Sequence, residues 1–174
     1  EANGDFEQIK RLVDDALNAG TERNIGHEYI EHVEDRYSET ARVTVPTGWD
    51  VIDDLTQGGL GAGELGVVVA PAGGGKTWVL AAIGANSMKR GRHIVHYSLE
   101  LNEAYVGLRY DSIFTGIANQ NLKYHKEDVQ GEMDKLKGDL IIKYYPTKSA
   151  SVNTISAHLK RLITLGTEVD MVVV

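Results

Sequence analysis

An α/β fold with a mostly parallel sheet is predicted by two features of the chain. Apolar runs, "ELGVVVA", "HIVHYSL", "LIIKYY" and "DMVVV", alternate with stretches of helical spacing from Thr47 onwards. A glycine-rich turn, "APAGGGKTW" (Ala70 to Trp78), joins the first run to a helix.

The elements follow in order. "DFEQIKRLVDDALNAG" has Phe6, Ile9, Leu12, Val13, Ala16 and Leu17 at helical spacing, with Asp5 and Gln8 at its start and Gly20 at its end. A weaker helix is expected over 28–37. Residues 1–45 therefore read as a helical appendage and 46–174 as the α/β unit. In that unit a strand is expected near 64–70, a helix from Lys76 to about Lys89 stopped by Gly91, and a second strand over 93–99. A helix over about 102–116, a charged helix over about 125–136 ended by Gly138, and a strand over 140–145 come next. Ser151 opens a helix with Val152, Ile155, Leu159, Leu162 and Ile163 on one face, ended by Gly166. "DMVVV" begins a fourth strand, and the expectation is that the chain stops inside it.

Composition narrows the function. The chain has 174 residues, enough for a core of its own, and zero cysteines, so it holds no disulfide framework and no thiolate metal site. That fits a cytoplasmic setting. A net charge of -7 argues against a surface broadly coated for DNA or anionic membrane, though short basic loops could still hold DNA. No apolar run approaches the length of a membrane-spanning helix.

The glycine-rich turn carries the strongest chemical signal. The pattern G-x-x-x-x-G-K-[ST] has Ala70 at its first position and otherwise matches through Gly75, Lys76 and Thr77. Glycines let successive backbone N–H groups converge on phosphate oxygens. A lysine here reaches β- and γ-phosphates, a threonine hydroxyl ligates Mg²⁺, and the helix start presents its positive end to the anion. Glu100 ends the second strand. At the carboxyl edge of a parallel sheet it could orient an attacking water, or it could simply open the next helix.

With these parts placed, a family resemblance becomes visible. "PTGWDVIDDLTQGGLGAGEL" resembles the entry segment of RecA-like ATPases, with Ile52 for the usual Leu and Asp53 after it. "SLE" ending at Glu100 is similar to the "SLEM" of DnaB-type replicative helicases, with Leu101 where Met is usual. "IIKYYPTKSASVNTISAHLKRL" and "NIGHEYIEHVEDRY" resemble segments of tailed-phage replicative helicases. The resemblance implies a RecA-like P-loop core that binds ATP and Mg²⁺ through Ala72, Gly73, Gly74, Gly75, Lys76, Thr77 and Trp78. Lys76 and Glu100 would be catalytic, and Thr77 would ligate Mg²⁺. It further implies translocation on single-stranded DNA, a homo-oligomer of hexameric ring form, and a primase or helicase loader as partner. The family's metal-binding Asp, DNA loops and arginine finger are expected after Val174. Arg109 stands where the family often has Arg; a structural arginine on a helix accounts for it equally well. The first helix is expected to dock on a neighbouring subunit. The rival functions are a RecA-type recombinase and an ATP-binding regulator or loader.

Several patterns point nowhere. His27 and His32 of "HEYIEH" are five apart, about 140° round a helix, and cannot share a metal. His93 and His96 face opposite sides of a strand. Ser98 lacks a nucleophile elbow. Asp170, at the start of its strand, is not assigned to metal. Tyr144 and Tyr145 could stack on a base, but tyrosines at a strand end more often pack.

Overall fold

The structure is a computed structural model that describes residues 43–174 and, before them, residues 13, 29–31 and 34. Apart from those few residues, the two helices expected over 5–19 and 28–37 lie outside the described residues. Arg42–Val174 forms a compact unit of its own.

The unit is built on a parallel sheet of strand order β4–β3–β5, where β3 is Ile94–Ser98, β4 is Leu140–Tyr144 and β5 is Met171–Val173. β3 pairs from Ile94↔Leu140 to Ser98↔Tyr144 on one side and from Ile94↔Met171 to His96↔Val173 on the other. Every residue of β3 is buried, the pattern of a central parallel strand covered on both faces. A separate antiparallel pair joins β1 (Thr44–Val45) to β2 (Leu60–Gly61). Between them lies a short helix, α1 (Asp50–Leu55), which periodicity alone did not suggest.

Four further helices flank the sheet: α2 (Lys76–Lys89), α3 (Glu103–Thr115), α4 (Lys126–Met133) and α5 (Val152–Thr164). Their ends follow local chemistry. Asn102 caps α3 by accepting from Tyr105 N, and Gly116, at φ 73°, terminates it in the left-handed region. Ser151 and Thr154 cap α5 reciprocally. The core packs Ala81, Ala85 and Met88 of α2 and Val106 and Tyr110 of α3 against Ile94 and Val173. Gly84 belongs to the same contact, since a Cβ there would run into the Tyr110 hydroxyl.

One expected element differs. Residues 64–70 are not a strand; they run without a ladder partner, and Leu65, Val67 and Val69 are 86%, 72% and 88% exposed. Apolar alternation makes a segment fit for a sheet, but a strand exists only through hydrogen bonds to a neighbour, and none of β1–β5 is in register with this one. The helix expected over 125–136 is shorter, ending at Met133. Among the described residues no helix is long and apolar enough to cross a membrane.

Candidate nucleotide site

The glycine-rich turn is shaped by backbone conformations that glycine allows. Gly73 and Gly75 sit at φ 73° and 83°, and a Cβ on either would meet nothing within 4 Å. The concave side of the turn is therefore open, and positive φ rather than crowding demands glycine. Gly74 N donates to Pro71 O at 3.0 Å and closes the turn. Gly75 then caps α2 in the left-handed conformation with no side-chain partner. The first N–H groups of α2 thus lack intrahelical and side-chain acceptors, leaving donors and the positive dipole end for an anion. The Lys76 ammonium folds over the turn, donating to Ala70 O at 3.0 Å and Pro71 O at 3.1 Å. It caps carbonyls of the loop it belongs to and stays exposed, so among the described residues it can be redirected to a phosphate without breaking an ion pair.

Glu100 lies in the bend that follows β3. The bend is braced from three directions. Leu101 N donates to Ser98 Oγ at 3.0 Å, Tyr145 N to Ser98 O at 2.9 Å, and Thr147 Oγ1 to Leu99 O at 3.3 Å. Ser98, unsuited to be a nucleophile, shapes this turn. Glu103, one turn on, accepts from Tyr144 N at 3.1 Å. That bond, with Lys143 nearby, holds the Glu103 carboxyl below its ordinary value despite slight desolvation.

Lys76, Thr77 and Glu100 meet at one cleft of about 400 Å³. Its other walls are Leu65–Val68, the carboxyl half of β3 and Val174. The cleft opens beyond the strand ends, where an open α/β sheet takes its ligand. The donor set fits a Mg–nucleotide: free N–H groups and an ammonium for phosphate oxygens, a hydroxyl for the metal and a carboxylate across the cleft. Of the remaining expected residues, Ala72 to Gly75 form the turn beside the cleft. Trp78 faces elsewhere: its ring, 40% exposed, lies under the Arg109 guanidinium at 5.2 Å.

The other candidates are placed plainly. Asp170 stands at the amino edge of the sheet, accepting from Arg92 Nη1 at 3.2 Å and His93 N at 2.7 Å, far from the Glu100 end of β3. His93 lies 3.6 Å from Glu168, and His96 is buried against Tyr110 with Nδ1 2.9 Å from the hydroxyl. No group of three or more metal-ligating residues occurs among the described residues. Tyr145 is already stacked on Tyr97 and edge-on to His158, with Lys143 Nζ 5.6 Å from its centroid. That is the packing role expected of it.

Sequence reasoning missed the support behind the site. Asp53 accepts from Thr47 N and Thr47 Oγ1, both at 2.7 Å, and from Gly48 N at 3.0 Å. Asn86 Nδ2 and Ser87 Oγ, on α2, reach Thr47 O and Pro46 O at 3.1 and 3.0 Å. The entry segment is thereby moored to the helix that follows the glycine-rich turn. Desolvation raises the Asp53 carboxyl, but the Thr47 and Gly48 bonds and the Arg90 charge outweigh it and hold it below its ordinary value.

Comparison with known proteins gives a consistent result. The profile of the DnaB-like helicase C-terminal domain matches residues 44–174. A DnaB-like replicative helicase of Enterobacteria phage T4 is 27% identical over 169 residues, covering 91% of this chain and 35% of that protein. The chain thus spans about a third of the curated relative it matches.

Proposed function

The chain belongs to the family of DnaB-like helicase C-terminal domains, and from that premise we propose that residues 46–174 form the nucleotide-binding core of an ATP-driven replicative helicase motor. The observation that carries the proposal is the cleft shared by Lys76, Thr77 and Glu100. In this reading Gly74 closes the turn through its bond to Pro71 O, and the N–H groups of Gly73 and Gly75 and of the first turn of α2 bind the phosphate oxygens. The Lys76 ammonium leaves Ala70 O and Pro71 O and lies against the β- and γ-phosphates. The Thr77 hydroxyl would hold Mg²⁺, which when bound supplies neutralisation of phosphate charge. Glu100, fixed by the braced bend, accepts a hydrogen bond from the attacking water and aligns it with the γ-phosphorus. Hydrolysis would drive movement along single-stranded DNA within a homo-oligomer, in the manner the family name implies.

The test has two parts. Magnesium–ATP binding and hydrolysis are measured for the chain, for Lys76→Ala and for Glu100→Gln. Binding lost with Lys76→Ala, and binding kept but turnover reduced about a hundredfold or more with Glu100→Gln, support the reading. Turnover that survives Glu100→Gln removes Glu100 from the mechanism. Stimulation of hydrolysis by single-stranded DNA then tests the motor.

A further inference from the structure

Among the described residues, Arg109 is a cation without an anion. It lies half-buried on α3, and among the described residues no carboxylate comes within ion-pair distance of it. Its guanidinium rests instead on the ring of Trp78, 5.2 Å from the centroid. Trp78 directly follows Lys76 and Thr77 in the first turn of α2. A positive charge beside a helix N-terminus opposes the helix dipole, so ordinary surface electrostatics do not account for its position. The aromatic face does: it attracts the cation and offers a flat surface to a flat group.

The two residues bridge two helices that leave the site from opposite sides. α2 begins at the phosphate loop, and α3 begins just after the bend that carries Glu100. Farther down, α2 and α3 are held by the Gly84–Tyr110 approach and the buried core. At the first turn of α2, the Trp78–Arg109 contact adds a further link between them. The buried His96 ring feels the charge of Arg109.

We infer that Arg109, stacked on Trp78, is a positioning residue that sets the first turn of α2, with Lys76 and Thr77, at the distance from Glu100 that hydrolysis requires. The inference rests on the ATPase reading above. It assigns Arg109 no contact with nucleotide. Its action passes through the indole to the turn that holds the phosphates, and loss of the stack lets that turn and the Glu100 bend drift apart. A misplacement of about 1 Å between reacting groups is enough to cost on the order of a hundredfold in rate.

The experiment measures Mg–ATP affinity by calorimetry, hydrolysis rate and melting temperature for the full chain and for Trp78→Phe, Trp78→Ala, Arg109→Ala and the double alanine variant. Either single alanine change should lower kcat by about ten- to a hundredfold while Kd moves less than about threefold. The double variant should be no slower than the slower single one, because both remove the same stack. Trp78→Phe keeps an aromatic face and should retain most of kcat. A merely structural pair would lower the melting temperature and leave kcat of the folded protein intact; that result overturns the inference. So would multiplicative losses in the double variant. Absence of binding or hydrolysis in the unmutated chain sinks the ATPase reading and this one together, whereas normal hydrolysis with unaffected variants sinks this one alone.

Discussion

The His96–Tyr110 pair makes acid sensitivity a quantitative prediction. His96 is 2% exposed and Tyr110 also 2%, in the middle of the core beneath the candidate site. Burial, and then the charge of Arg109, lowers the His96 value from 6.5 to about 4, while burial pushes the Tyr110 hydroxyl up. The unfolded chain therefore binds a proton that the folded chain refuses. The contribution of His96 to stability is full above about pH 6.5 and is lost as the pH falls towards about 4. The interval corresponds to about 3 kcal/mol in all, of which about 2 kcal/mol is gone at about pH 5. Asp53 contributes its own loss only as the pH falls below the unfolded carboxylate value of 3.8, outside this window. The comparison is with the double variant His96→Leu/Tyr110→Phe, which removes the titration without orphaning a buried hydroxyl. Urea unfolding followed by circular dichroism at about pH 7 and about pH 5 should show wild type losing about 2 kcal/mol more than the variant, a difference of about 1 M in midpoint. Parallel pH curves for the two proteins would refute the assignment of His96 as a buried, neutral histidine.

Three more substitutions test the supports of the fold. Asp53→Ala withdraws the acceptor from Thr47 N, Thr47 Oγ1 and Gly48 N; in this partly solvated turn we expect a loss of about 1–2 kcal/mol, read as a fall of about 2–8 °C in Tm. Gly48→Ala places a Cβ at φ 89° against the Asn86 side chain, and should cost about 2 kcal/mol and break the Asn86–Thr47 bond; an unchanged Tm would show that the mooring does not matter. Ser151→Ala removes one half of the capping box of α5, and a thermal melt should record about 1 kcal/mol lost, with Thr at the same position restoring most of it.

Much of the site was legible along the chain because its parts are local. Gly73 and Gly75 take positive φ because the turn between an extended run and a helix requires it, and the pattern around them names the turn. Lys76 and Thr77 follow immediately, so their place at the mouth of α2 needs no tertiary information. The stop at Gly91 and the cap at Ser151 are likewise decided within a few residues, by backbone conformations and side-chain acceptors that act at short range.

What tertiary structure decided is everything that depends on residues far apart in the chain. Residues 64–70 carry the alternation of a strand, yet pairing needs a neighbour in register, and only the assembled sheet shows that none is there. Glu100 could open a helix or face a phosphate; the packing of β3 brings it to the cleft of Lys76 and Thr77. Alternation puts His93 and His96 of "HIVHYSL" on opposite faces of a strand, with no word on which face is buried; the strand proved central, so burial keeps His96 neutral. Asp53, Thr47 and Asn86, and likewise Trp78 and Arg109, belong to pairings that no local spacing encodes. The physical reason is range. Backbone conformation and capping answer to the nearest few residues, whereas burial, ion placement and the meeting of the Glu100 carboxylate with Lys76 and Thr77 are set by which elements the core brings together.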